Sequence, residues 1–377
     1  MIITSITITL LYLLLIGCFA FGFDRIKIFK KESLTSKTTF SVVIPFRNEA
    51  ENLPILLKSI LSLNYPKELF EVILVDDESE DESANIIREK LKDFDGDQPD
   101  IKIISNIRTS NSPKKDAIST AIKVAKNEWI ITTDADCLLP KYWLCSFDEL
   151  IQKSNANCIA APVSYFEKNN FLNRFQLLDM LSLQGATIGG FSIKKPFLCN
   201  GANFAYKKIL FEELNGFDGN TNTASGDDIF LLEKAVKKHP DQVHYLKSEH
   251  AIVFTKAQPT WDSLFSQRVR WAAKTSAYNN WFGKITGLIV LLMNALIISL
   301  GLLTVFGAFN LKAFIYLVII KFNIDFFLIY KSALFFNQKS VLRSFIVGFL
   351  FYPFFSVYIT FVSVFSNYKW KGRTFKK

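Results

Sequence analysis

Cysteine is scarce in this 377-residue chain: Cys18, Cys137, Cys145, Cys158 and Cys199 are the whole set. No two have C-x-x-C spacing and the number is odd, which argues against a zinc site and a disulfide framework. Glycine-rich phosphate loops are missing too. No G-x-G-x-x-G follows the first apolar strand pattern, which speaks against a dinucleotide cofactor, and no G-x-x-x-x-G-K-[ST] occurs, which removes P-loop phosphoryl transfer. Sixteen glycines rule out a collagen-like chain, and an aromatic content of 15% rules out disorder. Internal repeats and low-complexity tracts are absent. Charge is thin, at 21% of residues, while half of the chain is hydrophobic and the net charge is +9. Those figures do not describe a soluble globule. They describe a membrane protein carrying one soluble domain.

The apolar surplus sits in residues 2–22 and 285–366, with ordinary soluble composition between them. Residues 2–22 carry no charge, and about 20 apolar residues span a ~30 Å hydrocarbon core. No basic region precedes the run and no small-residue cleavage site ends it, so an anchor over 1–24 is expected rather than a cleaved signal. Arg25, Lys27, Lys30 and Lys31 follow, which places the next domain in the cytoplasm by the positive-inside rule. Residues 285–309 form a second uncharged span. Residues 313–330 contain Lys321 and Asp325, each costing roughly 2.5–3.5 kcal/mol at a helix centre. Their i, i+4 spacing lets them neutralise one another. Residues 344–366 could span but contain Pro353. Four full spans would leave the basic tail, 369–377, outside; the expectation is therefore that 313–330 lies at the interface or re-enters, within a 281–368 transmembrane and interfacial region. The positive charges cluster beside these helices, as attraction to anionic lipid predicts, and not in a nucleic-acid-binding pattern.

Between the apolar ends, residues 40–46, 70–75, 101–105 and 128–133 are short apolar runs, each followed by a helical pattern. That alternation predicts an α/β domain, mostly parallel sheet with helices on both faces, over residues 38–280. After residue 160 the rhythm loosens, and 171–188 reads as an amphipathic helix. Ligands of such sheets sit at the carboxyl ends of the strands, and acids are concentrated there. Asp76-Asp77 ends VILVDD, Asp134-Ala135-Asp136 ends ITTDAD, and Asp227-Asp228 opens GDDIFLLEKA. A D-x-D at a strand end can hold Mg²⁺ or Mn²⁺, whose shell is completed by water and phosphate. Asp228 is a candidate general base, and Gln267-Arg268-Val269-Arg270-Trp271 offers phosphate-matching cations and a flat ring for a sugar. Taken singly, each is better read as a turn, a helix cap or a membrane-interface contact. Their order on one α/β chain is what carries weight.

Seven blocks in order, SVVIPFRNEAENL (41–53), VDDESEDES (75–83), SPKKDAI (112–118), TTDADC (132–137), NGANFAY (200–206), GDDIFL (226–231) and QRVRW (267–271), resemble the membrane-bound family-2 glycosyltransferases of GT-A fold. That group includes polysaccharide synthases and ceramide glucosyltransferases. The resemblance implies that Pro45, Asn48, Glu49, Asp76 and Asp77 form the pocket for base and ribose, with Lys114 near the nucleotide. It implies that Asp134 and Asp136 hold a divalent cation, Asp136 more directly. Asp228 matches the catalytic base and Asp227 the acid before it, while Gln267, Arg268, Arg270 and Trp271 match the motif that meets diphosphate and acceptor. The implied donor is a nucleotide-diphosphate sugar, a UDP-sugar first. Departures lie in the nucleotide loops: Glu78 stands where glycine is usual, Pro113 replaces the glycine before Lys114, and Arg47 replaces a small or aromatic residue.

The implied reaction is a single displacement with inversion at the anomeric carbon, onto a hydroxyl of a membrane lipid or lipid-linked glycan. A processive polysaccharide synthase of the same family is the alternative, disfavoured because a polymer channel needs several well-formed spans. A sugar nucleotidyltransferase would carry a glycine-rich loop at the first strand. A non-catalytic scaffold would lack one of the acids, and none is missing.

Overall fold

A computed structural model of the chain describes residues 2–221, 225–273 and 279–365, with the backbone of 368–370 and 373–375. Helix α1 (Ile2–Arg25) comes first. Strands and helices then alternate: β1 (Phe40–Phe46), α2 (Leu53–Leu61), β2 (Phe70–Asp76), α3 (Ser83–Lys92), β3 (Asp100–Ser105), α4 (Pro113–Val124), β4 (Trp129–Thr132) and α5 (Trp143–Lys153). Shorter elements follow: β5 (Cys158–Ala160), β6 (Val163–Tyr165), α6 (Phe171–Ser192), β7 (Phe204–Lys207), α7 (Lys208–Glu213), α8 (Asp227–Lys238), β8 (Val243–Tyr245) and β9 (Val253–Thr255). Then come α9 (Trp261–Ala273), α10 (Trp281–Val305), α11 (Leu311–Phe335) and α12 (Phe345–Phe365).

Contacts divide the chain into a sheet unit, Lys27–Phe166 with Leu198–Lys256, and a helical unit, Met1–Ile26 with Glu167–Phe197 and Ala257–Lys377. This division differs from the continuous 38–280 stretch expected from sequence. The reason is packing: α6 lies against α1 and α11, and α9 against α12. Nor is α6 amphipathic. Asn173, Gln176, Asp179 and Gln184 are buried along with Phe175, Leu178 and Leu181, so it is enclosed on nearly all sides.

In the sheet unit the strand order is β3-β2-β1-β4-β7-β5-β8. The β3-β2-β1-β4 part is parallel, whereas β7 runs antiparallel to β4 and β5. Continuous apolar runs such as FSVVIPF suit strands covered on both faces. Val42, Ile44, Val72, Leu74 and Ile131 pack with Leu53, Leu56, Leu57 and Ile60 of α2 and with Trp143 and Phe147 of α5. Helix α4 turns Ala117, Ile118, Ala121 and Ile122 inward and packs on β1 and β2. Because the chain goes from β1 out to β2 and β3 and returns to β4 on the other side of β1, the order reverses between β1 and β4. That is the point at which an open α/β sheet leaves a crevice at its carboxyl edge.

The helical unit holds four helices long and apolar enough to cross a membrane: Ile2–Arg25, Trp281–Val305, Leu311–Phe335 and Lys339–Phe365. Where an interfacial or re-entrant segment was expected at 313–330, α11 is an uninterrupted 25-residue helix with Lys321 1% exposed. Its charge is met at 2.5 Å by Asp325, and the Tyr12 hydroxyl donates to the same carboxylate at 2.6 Å. Pro353 lies inside α12 without ending it. Of the basic tail, Lys371, Lys376 and Lys377 lie outside the described residues; Tyr368–Trp370 pairs antiparallel with Arg373–Phe375.

Candidate active site

Two acids from separate parts of the sequence, Asp134 and Asp227, meet one lysine at the carboxyl edge of β4. The D-A-D turn leaves β4 directly: Thr133 N–H still donates to Val43 O at 3.2 Å, and Cys137 N–H closes the turn onto Asp134 O. Behind the turn, Leu138 exchanges both backbone hydrogen bonds with Phe254 of β9, which pins it. Helix α4 starts at Pro113, a residue whose missing N–H and fixed φ suit the first turn. Lys114 follows at once and reaches Asp134 Oδ1 at 2.6 Å and Asp227 Oδ2 at 3.3 Å. Burial alone would lower the pKa of this ammonium. Asp134, Asp227 and Asp228 outweigh burial and hold it raised, so Lys114 is a permanent cation.

Helix α8 begins after Gly226, whose φ of +89° a side chain would strain. Asp227 and Asp228 therefore occupy its first turn, where the helix N-terminus favours negative charge. Asp227 is buried and Asp228 is partly exposed. Asp228 Oδ2 accepts from Gly201 N–H at 2.9 Å and Oδ1 from Ile229 N–H at 2.8 Å, so its direction is set by backbone donors. A Cβ at Gly201 would meet Asp227 Oδ2 at 2.8 Å and Lys114 Nζ at 3.2 Å, which is why glycine stands there.

Neighbouring loops hold the residues expected around a base and ribose. Pro45 lies on β1 beyond Val43, where pairing with β4 stops, so its missing N–H costs no ladder bond. Asp76 Oδ1 caps the following turn by accepting from Ser79 N–H at 2.9 Å. Asp77 is buried, and its Oδ1 accepts from Asn106 Nδ2 at 2.6 Å, with Arg108 3.4 Å away. Asn48 has φ +52°, and its Oδ1 accepts from Glu80 N–H at 2.8 Å; Glu49 N–H donates to Ser83 Oγ at 2.8 Å.

The Q-R-V-R-W residues lie on α9, in the helical unit. Arg268 is buried, with Nε 2.7 Å from Asp179 Oδ2 of α6, bonded also to the Gln267 side chain, and with its guanidinium 4.2 Å from the Trp271 ring centroid. Its charge is thus neutralised within the unit. Gln267, Arg270 and Trp271 are partly exposed.

Several residues that hold the site together had no role assigned from sequence. Asn203 is buried and donates to Pro162 O at 2.8 Å and Ala251 O at 2.7 Å, while accepting from Trp143 Nε1 at 2.8 Å. It fixes the entry to β7 and with it Gly201. Asn106 and Arg108, just past β3, do the same for Asp77. Their strand-end positions were the available signal. The Cys137 thiol is buried, and burial followed by Asp136 and Asp134 pushes its pKa well above the ordinary value, so it is no nucleophile. Among the described residues no group of three or more His, Cys, Asp or Glu could hold a metal. The donor set, Asp134 and Asp136 on one turn, fits instead a Mg²⁺ or Mn²⁺ that takes its other ligands from water and substrate phosphate.

Two sequence profiles match the chain, glycosyl transferase family 2 over residues 41–214 and glycosyl transferase family group 2 over 129–366. A poly-beta-1,6-N-acetyl-D-glucosamine synthase of Staphylococcus epidermidis is 25% identical over 258 residues, covering 66% of this chain and 57% of that protein. A beta-monoglucosyldiacylglycerol synthase of Nostoc sp. is 24% identical over 265 residues, covering 68% and 53%. The chain thus spans little more than half the length of these curated relatives. A solved mannosyltransferase from Pyrobaculum calidifontis, in complex with GDP-Man and Mn²⁺, superposes with a TM-score of 0.56 over 92% of this chain and 96% of that one, at 18% identity. That likeness speaks to the fold, GT-A.

Proposed function

Since the chain belongs to glycosyl transferase family group 2, we propose that it is an inverting glycosyltransferase that moves a sugar from a nucleotide-diphosphate sugar to a hydroxyl of a membrane lipid or lipid-linked glycan. The observation that carries this reading is the convergence of Asp134, Asp227 and Asp228 on Lys114 and Gly201 at the crevice edge. Asp134 and Asp136 would hold Mg²⁺ or Mn²⁺, which when bound would supply positive charge to offset that of a departing diphosphate. Lys114 adds a positive charge beside Asp134 and Asp227. Asp228, aimed by the Gly201 and Ile229 amides, takes the proton of the acceptor hydroxyl. The acceptor oxygen bonds to the anomeric carbon as the carbon–oxygen bond to the diphosphate breaks on the opposite face, which inverts the configuration. Pro45, Asn48, Glu49, Asp76 and Asp77 form the wall for base and ribose. The family resemblance assigns Gln267, Arg270 and Trp271 to diphosphate and acceptor, and within the helical unit Arg268 is held by Asp179.

The same proposal makes the chain a multi-pass membrane protein with its sheet unit in the cytoplasm. Four long apolar helices, and Arg25, Lys27, Lys30 and Lys31 after the first, support it. The donor is a UDP-sugar, and nucleic acid plays no part. The glucosyldiacylglycerol synthase among the relatives supports a lipid acceptor, and the equally similar poly-N-acetylglucosamine synthase supports the polymer alternative. Mass spectrometry of products, made by the full chain in lipid nanodiscs from a panel of nucleotide sugars, tests it. Singly glycosylated lipid is expected; a polymer ladder means a polysaccharide synthase instead, and no transfer from any donor overturns the reading.

A further inference from the structure

The loops after β1 and β2 are joined by seven hydrogen bonds that involve side chains, three of them from Arg47. Its guanidinium donates to Asp77 O at 2.7 Å, to Glu78 O, and to Glu80 Oε1 at 2.7 Å, with Glu78 Oε2 3.7 Å away. Arg47 is largely covered although both acids are exposed, at 13% against 67% and 77% for the side chains. Beside it, Asn48 N–H donates to Ser79 Oγ at 3.1 Å and Ala50 N–H to Asp81 Oδ2 at 3.1 Å. Two residues in this seam, Asn48 and Glu78, have φ of +52° and +60°, a region that disfavours side chains. Glu78 tolerates it poorly, so something must hold the loop in that shape. Asp76 to Glu82 also contains six acids in seven residues, a poor neighbour for a nucleotide's phosphates unless a cation offsets it.

We propose that Arg47 is a positioning residue for the donor nucleotide: its planar fork draws the Asp77 and Glu78 carbonyls and the Glu80 carboxylate to one point and so sets the wall that receives the base and ribose. This rests on the glycosyltransferase reading. Lysine cannot replace it, because a single ammonium does not present a rigid fork to three acceptors. Glycine at 78 would adopt the same φ without strain and would restore part of the loop's shape in the absence of Arg47.

The test uses the full chain in nanodiscs, with UDP and GDP in the presence of Mn²⁺ as binding probes and then the best donor in turnover. For Arg47→Ala and Arg47→Lys alike, nucleotide affinity falls about tenfold, the scale of losing one charge-assisted hydrogen bond. Donor KM rises by the same factor, while kcat at saturating donor and acceptor KM stay within about twofold. Adding Glu78→Gly to Arg47→Ala recovers part of the lost affinity. Unchanged binding in Arg47→Ala, full function in Arg47→Lys, or equal loss of kcat and both KM values overturns the proposal while leaving the enzyme reading intact. If the wild-type chain binds neither nucleotide, the glycosyltransferase reading itself has failed.

Discussion

Replacing Asp228 by asparagine separates chemistry from folding, and the structure sets the size of each effect. The side chain keeps its shape, and its two oxygens now accept from Gly201 N–H at 2.9 Å and Ile229 N–H at 2.8 Å. An amide has one acceptor oxygen, so one of those N–H groups is left facing an NH₂. An unsatisfied donor costs about 1–3 kcal/mol, a tolerable fraction of the ~5–15 kcal/mol that holds a folded protein together. The variant should therefore fold, with a slightly lower melting temperature, and should keep its nucleotide, since Lys114, Asp134 and Asp136 are untouched. Losing the proton acceptor lowers turnover roughly 10²–10⁴-fold, or about 3–5 kcal/mol at ~1.36 kcal/mol per decade. Calorimetric titration of UDP with Mn²⁺, followed by single-turnover transfer from a labelled donor, reads both quantities. Transfer within tenfold of wild type, with binding intact, refutes Asp228 as the base. Loss of binding as large as the loss of rate would show that its role is structural.

Asp136→Ala is expected to abolish Mn²⁺-dependent nucleotide binding; an unchanged titration with and without chelator counts against the D-x-D metal site. Asn203→Leu strands Trp143 Nε1 and the carbonyls of Pro162 and Ala251. At about 1–3 kcal/mol each, denaturant unfolding should show a loss of at least ~3 kcal/mol, and a loss under ~1 would mean the network has been misread. The Glu71 carboxyl is buried, which alone would raise its pKa, but Lys102, the Lys126 amide and Ser41 outweigh burial and hold it lowered. Its stabilising contribution is therefore complete above the ordinary value of 4.5 and disappears as pH falls through the lower folded value. Glu71→Gln should lower stability at neutral pH and flatten the acid limb of the stability curve; an unchanged slope below pH 4.5 would contradict this.

Much of the sheet unit was legible in the sequence because it depends on short-range rules. FSVVIPF and FEVILV are too uniformly apolar for anything but strands covered on both faces. The acids that follow them sit at strand ends because a carboxylate inside a buried strand needs dedicated partners, as Glu71 has in Ser41, Lys102 and the Lys126 amide. The helical unit was harder to read. Lys321 and Asp325 looked too costly for an apolar helix because their third partner, Tyr12, lies 313 residues from Asp325 in the chain. The enclosed character of α6 was equally hidden, since its buried Gln176 is satisfied by the Gln258 carbonyl and Asp179 by Arg268. A polar residue reads as exposed until its partner is known.

From the order of its apolar runs and acidic turns alone, the chain settles its α/β class, the strands of its parallel half and the place of its acids at strand ends. Those are consequences of periodicity and of the cost of burying charge, both local. Only the tertiary structure decided that Lys114 stands within bonding distance of Asp134 and Asp227 and Gly201 within that of Asp228, that Arg47 bonds the loop after β2, and that Arg268 is spent on Asp179. The first two depend on crossover connections and an antiparallel β7 that bring remote strand ends to one edge, and the third on the packing of α9 beside α6. Those arrangements are selected by the packing of the whole core, and no stretch of sequence short enough to show a pattern encodes them.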